Sequence, residues 1–374
     1  MKIERRTLTK TKKEGIEKRK KKIVAFLVAA LAVQMLTMPV SALYVGHAEN
    51  EPEEDPNFVE MSLEDFLAEN PDYVGDDEPV STLTEIETTE GSYIWSKMGS
   101  YWYLYDPRGN PIKNDWFKDY SGHWYYLNSY GRMVTGWWRV GNYWYYFNAG
   151  GIMQTDWYQV GSKWYYLRTD AVNDSYPVGS AVTGAQYLPT TKGSTTRSRN
   201  YYFDYNCSMV EWTYPVSTSY VTLSSCFNDP RSGSGGNHQG IDIPAAGGTT
   251  IKSCSSGEVY KASFHTSMGN YVTVTSDVKD ANGNNLILRY MHMIDTPQVV
   301  TGASVSEGQV IGYVGSTGDS TGNHLHLDVN DQGLYSGIRV SSCVNPSSFF
   351  TSVTLKQGSL AEVPPYGLNY CYAR

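Results

Sequence analysis

Tryptophan recurs through the middle of this chain at a fixed period, and no other feature restricts its fold as tightly. Nine of the ten Trp of the 374-residue sequence lie between residues 95 and 164. Eight of them form two series, Trp95, Trp116, Trp137, Trp157 and Trp102, Trp124, Trp144, Trp164, each repeating every 20 to 22 residues. The units read Gly122-His123-Trp124-Tyr125-Tyr126-Leu127, Gly141-Asn142-Tyr143-Trp144-Tyr145-Tyr146-Phe147 and Gly161-Ser162-Lys163-Trp164-Tyr165-Tyr166-Leu167. Short alternating aromatic runs bounded by Gly and Asn predict one β-hairpin per unit. A hairpin that short cannot bury a face alone, so neighbours must stack into a solenoid. A weaker copy follows, with Thr183-Gly184-Ala185 where Thr-Gly-Trp would stand and Tyr201-Tyr202-Phe203 where the aromatic strand would stand. It is expected to cap the array.

Charge divides the rest of the chain. Residues 1–22 hold eleven Lys/Arg against three Glu, and an apolar run follows from Ile23 to Leu36. This is the pattern of a signal peptide over 1–48, with cleavage after Val40-Ser41-Ala42 or Gly46-His47-Ala48. The apolar run is shorter than the ~20 residues a spanning helix needs, so export is expected and stable membrane insertion is not. Residues 49–90 carry sixteen Asp/Glu and no Lys or Arg. Such a block cannot bury enough surface to offset its chain entropy and predicts a disordered, solvated spacer. One short helix is expected within it at Ser62-Leu63-Glu64-Asp65-Phe66-Leu67, capped by Ser62 and Asp65 and stopped at Asn70-Pro71. The remaining residues, 91–374, are neutral, with 19 charges of each sign. No segment beyond the leader is basic enough to suggest nucleic acid.

The repeats resemble the choline-binding, or more broadly cell-wall-binding, repeats of Gram-positive surface proteins, over about residues 91–210. The resemblance implies aromatic cages for the quaternary ammonium of choline on teichoic acid, or ring faces that stack on a wall glycan. A cation over a Trp or Tyr face gains roughly 0.5–2 kcal/mol. Carried onto this chain, the ligand candidates are Trp116, Trp124, Trp137, Trp144, Trp157 and Trp164.

From about residue 211 to 350 the pattern is all-β, with short strands at Gly257-Glu258-Val259-Tyr260, Tyr271-Val272-Thr273-Val274-Thr275, Leu286-Ile287-Leu288-Arg289-Tyr290 and Gln309-Val310-Ile311-Gly312-Tyr313-Val314. Asn282-Gly283 is a hairpin-turn signal between the second and third. Residues 351–374 form a C-terminal extension. Two histidine motifs stand out, His238-Gln239-Gly240-Ile241-Asp242 and His324-Leu325-His326, with Tyr290-Met291-His292 between them. In an extended segment, residues i and i+4 share a face, as do i and i+2. Ile241 and Ile243 then point away from Asp242 into a core. A His-Asp-His set with one water makes the open tetrahedral site of a catalytic zinc. None of the five Cys has the close pairing expected of a thiolate site.

This domain resembles the lysostaphin-type zinc endopeptidases, which cut peptidoglycan cross-bridges and stem peptides. The resemblance runs through Asn237-His238-Gln239-Gly240-Ile241-Asp242, Gly257-Glu258-Val259, Gly269-Asn270-Tyr271-Val272, Tyr290-Met291-His292, Gly308-Gln309-Val310-Ile311-Gly312 and Gly315 to His326. Residue by residue it implies His238, Asp242 and His326 as ligands of one Zn2+ per chain, and His292 and His324 as catalytic histidines that bind no metal. Either of the last two is then the general base. Asn323 stands where the family has Pro, and Leu327-Asp328 replaces Phe-Glu; Asp328 is a candidate to orient a ligand histidine through its second nitrogen.

The expected fold class is therefore all-β, hairpin repeats followed by an antiparallel-sheet peptidase domain. The expected function is a secreted hydrolase at the surface of a Gram-positive-type wall, with peptidoglycan peptide as substrate. A catalytically silent wall-binding adhesin or hydrolase regulator with the same fold is the alternative. His265 is expected to be solvated. Exported cysteines predict disulfides, with Cys226–Cys254 the preferred bridge and one thiol left over.

Overall fold

The computed structural model describes residues 45–46, 48–49, 52, 58–71, 73, 92–170, 177–190, 198–231, 236–353 and 355–357. The basic and apolar stretch of the expected leader, most of the acidic block and the end of the C-terminal extension lie outside the described residues. Two compact units emerge, one comprising 1–59, 72–154 and 168–180, the other 60–71, 155–167 and 181–374. The hairpin array is divided between them.

In the first unit the Trp period becomes three antiparallel hairpins: β1 (Tyr93–Met98) with β2 (Tyr101–Tyr105), β3 (Asp115–Asp119) with β4 (Trp124–Leu127), and β5 (Gly136–Val140) with β6 (Tyr143–Phe147). Successive hairpins are joined through the segment that follows each one. Met133 donates its N–H to the Trp102 carbonyl and Met153 does the same to Trp124, both at 2.8 Å. Trp95, Leu104, Phe117, Tyr125, Leu127 and Met133 form one buried cluster, and Trp116, Tyr126, Val134, Tyr145, Phe147 and Met153 the next. The recurring Gly-Trp pair has a backbone reason: Gly136 sits at φ +72°, a region that costs a side chain energy. Asp156 takes the equivalent place at φ +70° and steadies it by accepting the Trp157 N–H at 2.8 Å.

The second unit holds β7 (Asp156–Val160) paired with β8 (Lys163–Leu167), and β9 (Gly184–Pro189) paired with β10 (Ser198–Phe203). The weak copy is thus a full fifth hairpin. Tyr202 packs against Phe349 at 4.7 Å, and the Arg199 guanidinium is held by the carbonyls of Phe350 and Thr351.

Part of the acidic block is ordered. The helix α1 (Leu63–Glu69) is capped by Ser62, whose Oγ accepts the Asp65 N–H at 3.0 Å, and it stops at Asn70. Leu63 is fully buried and gives its N–H to Tyr165 Oη at 3.0 Å. The expected cap and stop are both present, whereas a fully solvated spacer is not. An apolar residue at the start of the helix buries surface that the Glu and Asp on the other faces do not need to cover.

The C-terminal part of this unit is built on a seven-stranded sheet. Its central strands run in the order β11 (Ile241–Pro244), β15 (His324–Asn330), β14 (Asn285–Met293), β13 (Gly269–Lys279) and β12 (Gly257–His265), every neighbour antiparallel. The Asn282-Gly283 turn joins β13 to β14 as expected, with Gly283 at φ +84°. Ile241, Ile243, Val272, Val274, Leu288, Tyr290, Leu325 and Leu327 line one face and enter a single core. Alternate residues, Asp242, His326 and Asp328 among them, therefore face the other side. Two short 3-10 turns, Val340–Ser342 and Pro346–Phe349, are the only helical turns described in this domain.

Gly240 lies so close to β15 that an added Cβ would overlap the Leu327 carbonyl. Both groups are backbone and neither can yield. Gly240→Ala is expected to cost about 1–3 kcal/mol in urea denaturation. Gly322→Ala, with open space around its Cβ, should stay within about 0.5 kcal/mol of the parent.

Candidate metal centre and aromatic sites

Strand register assembles the centre. Asp242 on β11 stands directly opposite His326 on β15, and Pro244 opposite His324. His238 precedes β11, pinned by two backbone bonds, Asn228 N–H to its carbonyl at 2.7 Å and its own N–H to Asp229 O at 2.8 Å. Three donor atoms then meet: His238 Nε2 is 3.2 Å from Asp242 Oδ1, His326 Nδ1 is 2.8 Å from the same oxygen, and the two nitrogens are 3.0 Å apart. All three residues are buried.

Each of the three is fixed from behind. His238 Nδ1 lies 2.9 Å from both the Cys226 carbonyl and Ser225 Oγ. His326 Nε2 lies 3.3 Å from Asp328 Oδ2, and Arg289 clamps Asp328 from the neighbouring strand with contacts of 2.9 and 2.7 Å. Asp242 Oδ2 accepts from Arg231 at 3.1 Å. Outer partners of this kind set the tautomer and orientation of a ligand and raise its basicity. Burial alone would raise the carboxylate pKa values. The hydrogen bonds from His238 and His326 instead hold Asp242 well below its usual range, and the Arg289 charge does the same for Asp328. Burial lowers the pKa of His238. Burial works in the same direction on His326, but its bonds to Asp242 and Asp328 prevail and raise it to about 9. Three convergent donors, two imidazole and one carboxylate, with every second atom occupied, fit a zinc ion that keeps one position open.

The other two histidines flank this cluster. His292, at the end of β14, adopts φ +63° and gives its Nδ1–H to the Thr317 carbonyl at 2.8 Å. A non-glycine residue in that region stores backbone strain. His324 Nδ1 is bonded to the Gly322 carbonyl at 2.8 Å, and its Nε2 is 3.7 Å from Asp242 Oδ1. The His292 and His324 rings lie 4.7 Å apart. In both, the bonded Nδ1–H leaves Nε2 as the basic nitrogen. Burial pushes the His292 pKa below its ordinary value.

All five expected residues are therefore brought together, and Asp328 takes the orienting position anticipated for it. Arg231 and Arg289 were not anticipated. Arg289 had a signal, a lone charge in the apolar run Leu286-Ile287-Leu288-Arg289-Tyr290, and it stands opposite Asp328. His265 is exposed and bonds only Ser267. The preferred disulfide is corrected: Cys254 is a free, fully buried thiol whose pKa burial pushes up to about 12, while Cys226 is disulfide-bonded. Cys254 lies within the core and gives its N–H to Tyr290 Oη at 2.8 Å.

The ligand candidates of the array separate into two groups. Trp116, Trp137 and Trp157 are 8%, 1% and 8% exposed and serve the core. Trp124, Trp144 and Trp164 share the hairpin face of that series but lie nearer the strand end and are less buried, so they are the ring faces near solvent. Trp138, beside Trp137, is half-buried on the outer side.

Residues 236–337 match the model of peptidase family M23, and residues 134–171 match that of the choline-binding repeat. The peptidoglycan DD-endopeptidase ShyC of Vibrio cholerae is 33% identical over 144 residues, 37% of this chain and 32% of that protein. Lysostaphin of Staphylococcus simulans is 32% identical over 126 residues, 33% of this chain and 23% of that protein. The chain spans 32% or less of the length of these curated relatives. Among solved structures, the lysostaphin catalytic domain is 28% identical and covers 37% of this chain and 91% of its own, with a TM-score of 0.28. The chain thus carries an M23, lysostaphin-type peptidase domain preceded by choline-binding repeats. M23 is a family of zinc metallopeptidases.

Asp328→Asn and Arg289→Met each loosen the hold on His326. Both are expected to weaken zinc binding 10- to 100-fold in a chelator competition assay. Because His326 is protonated below about pH 9 without metal, zinc uptake at pH 7 should release a proton from it. Calorimetry in buffers of differing ionisation enthalpy measures that release, and Asp242→Asn should reduce it.

Proposed function

We propose that this protein is a secreted cell-wall hydrolase, a zinc-dependent endopeptidase that cuts peptide cross-bridges or stem peptides of peptidoglycan while its repeats hold choline-bearing teichoic acid or wall glycan. The observation that carries the reading is the convergence of His238, Asp242 and His326 on one point with His292 and His324 beside it. A zinc ion held by the first three would polarise the scissile carbonyl and lower the pKa of a bound water toward ~7.

The remaining steps fall to the chain itself. Burial lowers the His292 pKa and so favours the neutral imidazole, and its Nδ1–H is committed to Thr317. Its Nε2 is then the acceptor for the water proton, which it returns to the leaving amine. His324, 3.7 Å from the Asp242 carboxylate, is the group that steadies the negative charge on the tetrahedral oxygen, donating from Nε2 when its imidazole carries a second proton. Arg231 and Asp328 keep the donor set aligned. The repeats raise the local concentration of wall peptide, so a weak active-site affinity suffices. Retention of all five residues gives no support to a silent adhesin. Among the described residues no helix is long and apolar enough to cross a membrane, and export rests on the leader pattern of residues 1–48.

Release of free amino groups from purified walls tests the reading. The zinc-loaded protein should release them and His326→Ala should not; a wild type inactive on every wall chemotype would overturn it. His292→Ala should keep its zinc and lose about 10²–10⁴ in kcat. Burial holds the His292 pKa below its ordinary value, and a nearby cation lowers it further. The acid limb of kcat/KM in the wild type should accordingly lie below the pH at which an ordinary histidine titrates.

A further inference from the structure

Three turns of the array share one plan, in which an Asp or Asn side chain accepts the backbone N–H of the second and fourth residues after it. Asp106 Oδ1 holds Arg108 and Asn110 at 2.9 and 2.7 Å, Asn128 Oδ1 holds Tyr130 and Arg132 at 3.1 and 3.0 Å, and Asn148 Oδ1 holds Gly150 and Ile152 at 3.0 and 2.9 Å. The plan fixes those two positions beside each other. Of the three, the Asn128 turn alone fills them with a ring and a guanidinium. The Arg132 guanidinium carbon lies 5.4 Å from the Tyr130 centroid and 4.1 Å from that of Tyr101, the first residue of β2. Both contacts are within cation–π reach. Tyr130 is 71% and Tyr101 46% exposed, so the rings hold Arg132 at the surface.

No carboxylate answers this charge. Among the described residues Arg132 makes no ion pair, and its Nε has no hydrogen-bond partner. A second cation lies on the same turn. The stem of Lys113 runs against Gly131, where an added Cβ would come 3.2 Å from Lys113 Cγ. Lys113 is exposed and is likewise outside the ion pairs of the described residues. The cluster is also apart from the outer tryptophans. Tyr101 and Tyr103 alternate with Trp102 along β2 and project to the opposite face, and Arg132 bridges to Tyr103.

We propose that Arg132 and Lys113, with Tyr101 and Tyr130 holding the guanidinium in place, form a site for the phosphodiester of an anionic wall polymer. A guanidinium stacked on a ring keeps its N–H edge for the ligand and loses less freedom for each bond it makes. Its fork meets the two non-bridging oxygens of a phosphodiester, and charge-assisted bonds of this kind are roughly twice as strong as neutral ones. The Lys113 ammonium adds charge beside them, and the exposed Tyr130 ring offers an apolar surface to the flanking polyol. The choice of phosphodiester over carboxylate rests on the reading that the repeats hold a polymer of the teichoic acid kind; the site adds a contact to its backbone.

Isothermal titration calorimetry of the full chain at low salt, with a choline-free oligomer of glycerol phosphate, tests the site. The wild type should bind the oligomer, and Arg132→Gln should weaken binding at least about tenfold. Arg132→Lys keeps the charge but loses the fork and the stacked plane, so it should weaken binding by a similar factor. Circular dichroism checks that both variants fold. Wild-type affinity in either variant, or equal wild-type affinity for an oligogalacturonate of matched length, overturns the proposal. A second probe, the same oligomer bearing choline, separates the proposal from the reading beneath it. Binding of the choline-bearing oligomer alone overturns the proposal and leaves the wall-polymer reading in place, whereas binding of neither overturns both.

Discussion

Asp242 stands opposite His326 on an antiparallel strand pair, and the whole centre inherits its geometry from that register. A slip of one residue would send both side chains into the core and bring Ile243 and Leu325 to the open face. The register is therefore held by the same burial that builds the core: the isoleucines and leucines on either side of the two polar residues are fully buried. Once it is set, His324 follows two residues along the same strand, and Asp328 follows on the other side. Packing thus fixes the chemistry before any metal arrives.

The polar atoms of the centre form one connected system. Arg289 holds Asp328, Asp328 faces His326, and His326 shares Asp242 with His238. Arg231 closes it at the far oxygen of Asp242. A buried carboxylate is costly unless it is paired and hydrogen-bonded, and each one here has a cationic or imidazole partner. The two remaining histidines stand outside this system, each fastened to a backbone carbonyl. That division, three residues locked together and two poised with a basic nitrogen, is what suits the site to metal-assisted hydrolysis.

Much of this could be read in the sequence, because periodicity speaks directly to the face a residue occupies. The His-x-x-x-Asp and His-x-His spacings put the right side chains on one side, and the Ser62 cap and Asn282-Gly283 turn are local signals with local consequences. Partner choice across the fold was harder. Arg231 and Cys254 belong to neighbours that no spacing specifies. The two tryptophan series have the same period and share a hairpin face, so only the packing of the folded chain reveals that Trp137 is core and Trp164 is not. The acidic block reads as solvated because its charge dominates the average, and the average hides Leu63 and Tyr73, which find aromatic partners.

The central claim is that the histidine and aspartate cluster, loaded with zinc, breaks peptide bonds of peptidoglycan. Mass spectrometry of a purified cross-linked muropeptide dimer after incubation with the protein addresses it most directly. The account predicts two smaller products whose summed mass exceeds that of the dimer by one water, with no reaction once a chelator has removed the metal. A dimer left intact by protein that carries stoichiometric zinc, across the common cross-bridge types, would contradict it.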